Sequence, residues 1–203
     1  MCTLVGLAVI AAGFCAVEQR RAGRDSIFPP AVRAVANRPN VFKGRTYVDT
    51  PLPAFEESKA SLPSPIVADH PEWEKLYWKA WELAFKHLLK PAPGSGFVSN
   101  FIDSAFFENT GQWDSCFMME YAHYAEPTFH AIGTLDNFYA KQHDDGYICR
   151  ELTRSTGEEF HFRGIENTVN PPLFSWAEWQ NYLATGDKSR FRDLLPPLVN
   201  YYG

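Results

Sequence analysis

The chain has only four cysteines, Cys2, Cys15, Cys116 and Cys149, and no two of them form a C-x-x-C pair. That spacing excludes the usual zinc and dithiol redox arrangements. Cys116 and Cys149 read as free buried thiols in preference to a disulfide, because cysteine commonly packs as a small hydrophobe. Basic runs are also missing beyond Arg20-Arg21-Ala22-Gly23-Arg24, and the formal net charge is -5. A nucleic-acid partner is therefore not expected, since its footprint would be a basic patch. There is no Asn-x-Ser/Thr acceptor, no Ser–His–Asp elbow and no phosphate-binding glycine loop. His123, His130, His143 and His161 do not space as a ligand set and read as satisfied or solvent-facing. No cofactor and no metal is expected.

No apolar run reaches the roughly 20 residues of a confident membrane span, so no stable span is expected. The longest, Cys2 to Val17, suits the core of a signal peptide, with Gly13 and Cys15 as small residues before a cut. Arg20, Arg21 and Arg24 lie on the wrong side of it for that role. A buried helix or a stray start codon is the other reading, so localisation stays open between export and the cytoplasm. The chain divides into 1–24, the apolar N-terminal segment, 25–68, an extended lead-in, and 69–203, a helical domain. The lead-in is proline-rich and irregular, with a short strand expected near Arg45-Thr46-Tyr47-Val48.

What the chain has in plenty is aromatic side chains. Its 203 residues include 6 Trp, 9 Tyr and 16 Phe, which points to a large interior or to a cleft where rings stack on a carbohydrate. Asp69-His70-Pro71 opens a helix over Glu72 to Lys90 with a narrow charged stripe, expected to be packed on most sides. Asp114 to Tyr124 is almost wholly apolar and reads as an inner-layer helix. Pro127 to Gln142 is amphipathic, with His130, Asn137 and Lys141 on its polar side, and reads as an outer-layer helix. Pro171 to Thr185 is a further helix ended by Gly186. A last one runs from Lys188 to Tyr202, capped by Asp187 and interrupted at Pro196-Pro197. The strand signal is negligible over the last two-thirds. Helix after helix reads as an all-α protein of stacked hairpins in two layers.

Three polar-aromatic clusters precede helix-like stretches: Gln112-Trp113-Asp114, then Asp145-Gly146-Tyr147-Ile148-Cys149-Arg150-Glu151, then Asn170-Pro171-Pro172. Asp114 at a helix start is held by free backbone amides and the helix dipole. Plain capping explains it alone, but the adjacent Trp113 favours a carboxylate that accepts sugar hydroxyls. Arg150 and Glu151 form an ion pair beside a tight turn, and the bland reading is a surface contact worth under about 1 kcal/mol. Asn170 before two prolines is forced toward extended geometry, which projects its amide away from the helix it precedes.

The order and spacing of these clusters resemble glycoside hydrolase family 63, which includes processing α-glucosidase I and its bacterial relatives. Members carry a Trp-Asp pair, an Asp-Gly-Trp-Ile-x-Arg-Glu turn and an Asn-Pro-Pro helix start. Tyr147 stands where the family has Trp, and Glu158-Glu159-Phe160 looks like the acidic stretch that follows. The resemblance covers about Phe101 to Gly203. It implies an incomplete six-hairpin (α/α) toroid with roughly five helices. Trp113, Asp114, Arg150, Glu151 and Asn170 become sugar-pocket residues, with an oligosaccharide or small glycoside as partner. The implied activity is inverting, exo-acting hydrolysis of α-linked glucosyl or related sugars. The family's general acid and base segments are not found here and are expected beyond Gly203, so the catalytic residues stay unassigned. Two rivals remain: Asp114 and Glu151 as the acid–base pair of a smaller enzyme, and a non-catalytic helical module binding carbohydrate or protein.

Overall fold

The computed structural model describes residues 29–104, 108–126, 128–161, 170–171 and 173–202. The apolar N-terminal segment and the 162–169 part of the irregular stretch lie outside them. The helices are α1 Pro30–Ala36, α2 Phe55–Ser58, α3 Pro71–Lys86, α4 Gln112–Ala122, α5 Gly133–Ala140, α6 Phe174–Thr185 and α7 Ser189–Tyr202. The strands are β1 Leu88–Leu89, β2 Phe101–Ile102, β3 Asn109–Gly111 and β4 Glu151–Thr153. The all-α toroid expectation is therefore wrong, because two small antiparallel sheets sit among the helices. β1 pairs with β2 (Leu88 opposite Ile102) and β3 pairs with β4 (Gly111 opposite Glu151). Strands of two or three residues are too short to show the period-2 alternation by which a sequence announces them. The lead-in carries two short helices, α1 and α2, and the expected strand near Arg45–Val48 is irregular chain.

The centre of the molecule is α5, every residue of which from Gly133 to Tyr139 is buried. This corrects its expected outer-layer place. Its polar residues face structure instead of water. Asn137 Oδ1 accepts the Val98 and Ser99 amides at 2.8 and 3.0 Å, and its Nδ2 donates to the Ser99 carbonyl at 3.1 Å. Thr134 Oγ1 accepts the Ile102 amide at 3.0 Å, tying β2 to the same helix. Amide and hydroxyl side chains buried this way satisfy backbone groups that irregular chain would leave orphaned.

Around α5 stand α4, α6 and α7, and a buried ionic cluster joins α5, α6 and α7. Arg190 on α7 donates to Glu178 on α6 at 2.6 and 2.8 Å and to Asp136 on α5 at 2.7 Å. Tyr139 donates its hydroxyl to Glu178 at 3.0 Å, and Arg45 approaches Asp136 and Asp193 at 3.4 Å each. α6 ends at Gly186, whose φ of 72° is left-handed. α7 runs through Pro196 and Pro197 without interruption. Gln142 Nε2 donates to the Pro197 carbonyl at 2.8 Å and to the Gly146 carbonyl at 3.0 Å. Gly146 itself has φ 92° and lies against the Asn200 backbone, so any side chain there would strike the Asn200 carbonyl.

α3 differs most from expectation. Pro71 begins it, Glu72 and Glu74 fill its first turn, and only Trp81 and Phe85 are buried. Trp73, Leu76 and Leu83 are exposed, so it is packed on one side and not on most. Among the described residues no helix is long and apolar enough to cross a membrane. Replacing Arg190 with Ala strands two buried carboxylates, so it should lower the unfolding free energy by about 3–5 kcal/mol. Urea denaturation reads this directly, and a loss below about 1 kcal/mol would contradict the network's role.

Candidate functional site

Two of the three sequence clusters meet at the start of α4. β3 runs into α4 at Gly111, and the Gln112 amide donates to the Arg150 carbonyl at 2.7 Å, extending the β3–β4 ladder by one bond into the helix. Trp113 and Asp114 therefore lie beside Arg150 and Glu151 although far from them in sequence. Trp113 is 46% exposed, and its ring begins an aromatic row. Its centroid is 5.8 Å from Phe117, which lies 5.6 Å from Trp176 on α6. Asp114 is exposed in the first helical turn. Its carboxylate folds back over Gly111, so a side chain at that position would have to push it aside.

Arg150 and Glu151 share the imidazole of His161. An Arg150 guanidinium nitrogen lies 3.3 Å from Nδ1, and Glu151 Oε1 lies 3.2 Å from Nε2. Arg150 Nε is buried without a hydrogen-bond partner, as is Gln112 Oε1. Gln112 Nε2 donates to the Tyr201 hydroxyl at 3.1 Å. Asn170 is half-buried ahead of α6, and among the described residues no hydrogen bond joins it to the other four. The backbones of four expected residues thus come together at one end of α4, joined by Gln112, which opens the first cluster, and by His161, expected only as a satisfied or solvent-facing histidine. No local signal shows that Gln112 is buried or that His161 is brought to Arg150 by the fold around β4. Cys116 and Cys149 are free and buried, and burial pushes the Cys116 thiol well above its usual range.

A second feature was not foreseen. α3 and α4 diverge to leave a cavity of about 760 Å³, walled by Tyr77, Trp81, Met118, Tyr121 and Tyr124 and bordered by Asp103. The β1–β2 pairing positions that acid, because the Asp103 amide donates to the His87 carbonyl at 3.1 Å just beyond the ladder. Asp103 is 2% exposed. Its Oδ1 accepts the Ser104 amide at 2.8 Å. Its Oδ2 has no regular hydrogen bond, with Arg154 3.4 Å away. Burial raises its carboxyl to about 6; the Ser104 amide, Arg154 and Thr110 pull it down, and the Asp114 charge adds a little upward. Phe101-Ile102-Asp103-Ser104 has no pattern by which a sequence reader would single out the acid.

No family model and no solved structure matches the chain. An uncharacterized protein of Borreliella burgdorferi is 29% identical over 91 residues. That stretch is 45% of this chain and 19% of the Borreliella protein.

A carboxyl raised on folding makes the folded state hold its proton more tightly than the unfolded chain. The stability associated with the protonated form is present below about pH 4 and is lost as pH rises through about 6. Asp103→Asn removes that loss. It should leave stability nearly unchanged at pH 4 and raise it at pH 7.5 by up to about 3 kcal/mol, less whatever Arg154 forfeits. Thermal melts at the two pH values test this, and an equal effect at both would contradict it.

Proposed function

We propose that this chain supplies the sugar-binding subsite of a glycoside hydrolase of the family 63 type, inverting and exo-acting on α-linked glucosyl or related sugars. The observation that supports the reading is the β3–β4 ladder, which brings the backbone at the start of α4 against that of Arg150 and Glu151. A pyranose offers hydroxyls on its edge and an apolar face, so it asks for charged acceptors and donors next to an aromatic platform. Asp114 accepts hydroxyl hydrogens, Arg150 and Asn170 orient the ring, and Trp113 forms the wall. Glu151, held against His161, keeps the Arg150 side of the pocket in place. None of the five is assigned to proton transfer, which in an inverting enzyme needs two carboxyls ~6.5–9.5 Å apart with water between them.

The exposed indole of Trp113 favours this reading over a helical module that binds protein, because such a module would seal its aromatics between helices. Tryptophan fluorescence during titration with methyl α-D-glucopyranoside tests it. Saturable quenching is expected, with affinity falling about tenfold or more for Trp113→Ala and for Asp114→Asn. Hydrolysis of the glycoside should stay at background. No saturation, or saturation unaltered by both substitutions, would remove the reading.

A further inference from the structure

α3 carries an apolar seam that the described residues leave open. Trp73, Leu76, Ala80, Leu83 and His87 follow one another at steps of three, four, three and four residues, the repeat by which one helix seats against another. Trp73, Leu76 and Leu83 are 54%, 67% and 46% exposed, and Ala80 is exposed too. The core takes a different arc of the same helix, through Trp81 and Phe85, so covering the seam disturbs nothing inside the chain. Across the groove between α3 and α4, Tyr121 and Tyr124 are 39% and 53% exposed. With roughly 150–250 Å² for a fully buried ring and somewhat less for leucine, these five side chains still show about 500 Å² to solvent. That is the upper range for one patch on a monomer and most of the ~800 Å² per partner that a stable pair buries.

The seam and the charges along it match a second copy of themselves. When two α3 helices pair antiparallel, a two-fold axis sets Trp73 against Leu83 of the second copy and Leu76 against its Ala80, a large side chain against a smaller one. Glu72 in the first turn and Lys86 in the last border the seam on one side, so the same axis brings each Glu72 to the other copy's Lys86. The helix dipoles also oppose. Glu72 now meets His70 at 3.2 Å and Lys86 meets Glu82 at 2.6 Å; these contacts are on the surface and hold weakly. Lys79 falls near the axis and meets its own copy there, but Glu82 answers its charge at 2.9 Å. A parallel pairing would instead face Glu72 with Tyr77 and Lys79 with Ala84, answering neither charge. We propose that α3 is a self-association face. Two copies of this chain pair antiparallel along Trp73, Leu76, Ala80 and Leu83, with Tyr121 and Tyr124 flanking the seam.

Sedimentation velocity on the 203-residue chain over a range of concentrations tests this. A reversible monomer–dimer equilibrium with Kd on the order of 10 μM is expected, the scale of a small interface. Leu76→Glu, at an exposed position, should weaken pairing about a hundredfold or more by burying a charge in the seam. Circular dichroism should show the fold unchanged in every variant. Glu72→Lys and Lys86→Glu each place like charges against one another across the axis and should each weaken the dimer about tenfold. Combining the two reverses both signs and should restore the affinity to within about threefold of the unsubstituted chain, which apolar contact alone would not do. The proposal is overturned by a chain that stays monomeric up to about 200 μM, which would leave the face to a different protein. It is equally overturned by association that Leu76→Glu does not weaken, or by a double charge exchange that pairs no better than the single ones.

Discussion

Gln112 donates its backbone N–H to the Arg150 carbonyl at 2.7 Å, where the β3–β4 ladder gives way to α4. Three strand pairs precede it, Asn109 with Thr153, Thr110 with Leu152 and Gly111 with Glu151. Together they fix the register of two segments separated by the whole of α5. A slip of one residue would turn Leu152 out of the core, where it is fully buried, and Arg150 and Glu151 would change faces with it. The polar groups at the start of α4 therefore owe their company to apolar burial next to them. Asp114 follows in the first turn of α4, its carboxylate lying in the space that Gly111 leaves.

Behind this edge the helices are locked by Arg190, Glu178 and Asp136. A buried cation that touches two helices besides its own fixes how they sit against each other, because each carboxylate loses its partner if one helix turns. The opposite side of the molecule is looser. α3 buries Trp81 and Phe85 but leaves Trp73, Leu76 and Leu83 in solvent, and the cavity beside α4 is the outcome of that one-sided packing. Rigid polar contacts thus hold the helices behind the β3–β4 edge, while aromatic side chains of α3 and α4 shape the second pocket.

Punctuation was the legible part of the fold. Pro71 at the start of α3 and left-handed Gly186 at the end of α6 act through local geometry, and a sequence displays local geometry. Trp113-Asp114 marked the start of α4 to within a residue or two for the same reason. Tertiary context hid the rest. Asn137 looks like part of a polar face with His130 and Lys141, yet it and Thr134 are spent on the backbone of Val98, Ser99 and Ile102. Pro196-Pro197 reads as a break, but Gln142 serves the carbonyl of Pro197 and α7 continues. The strands were too short to show alternation. Asp103 carries no signal until burial and the neighbouring His87 backbone are known.

The claim on which the rest turns is that Trp113-Asp114 and Arg150-Glu151 act as one unit on a sugar ring. A double-mutant cycle tests it most directly, using Asp114→Asn, Arg150→Lys and the pair, with methyl α-D-glucopyranoside affinity measured by calorimetry. Groups that grip one ligand give a coupling of about 1 kcal/mol or more. Strictly additive losses would mean that the two clusters are neighbours without a shared task.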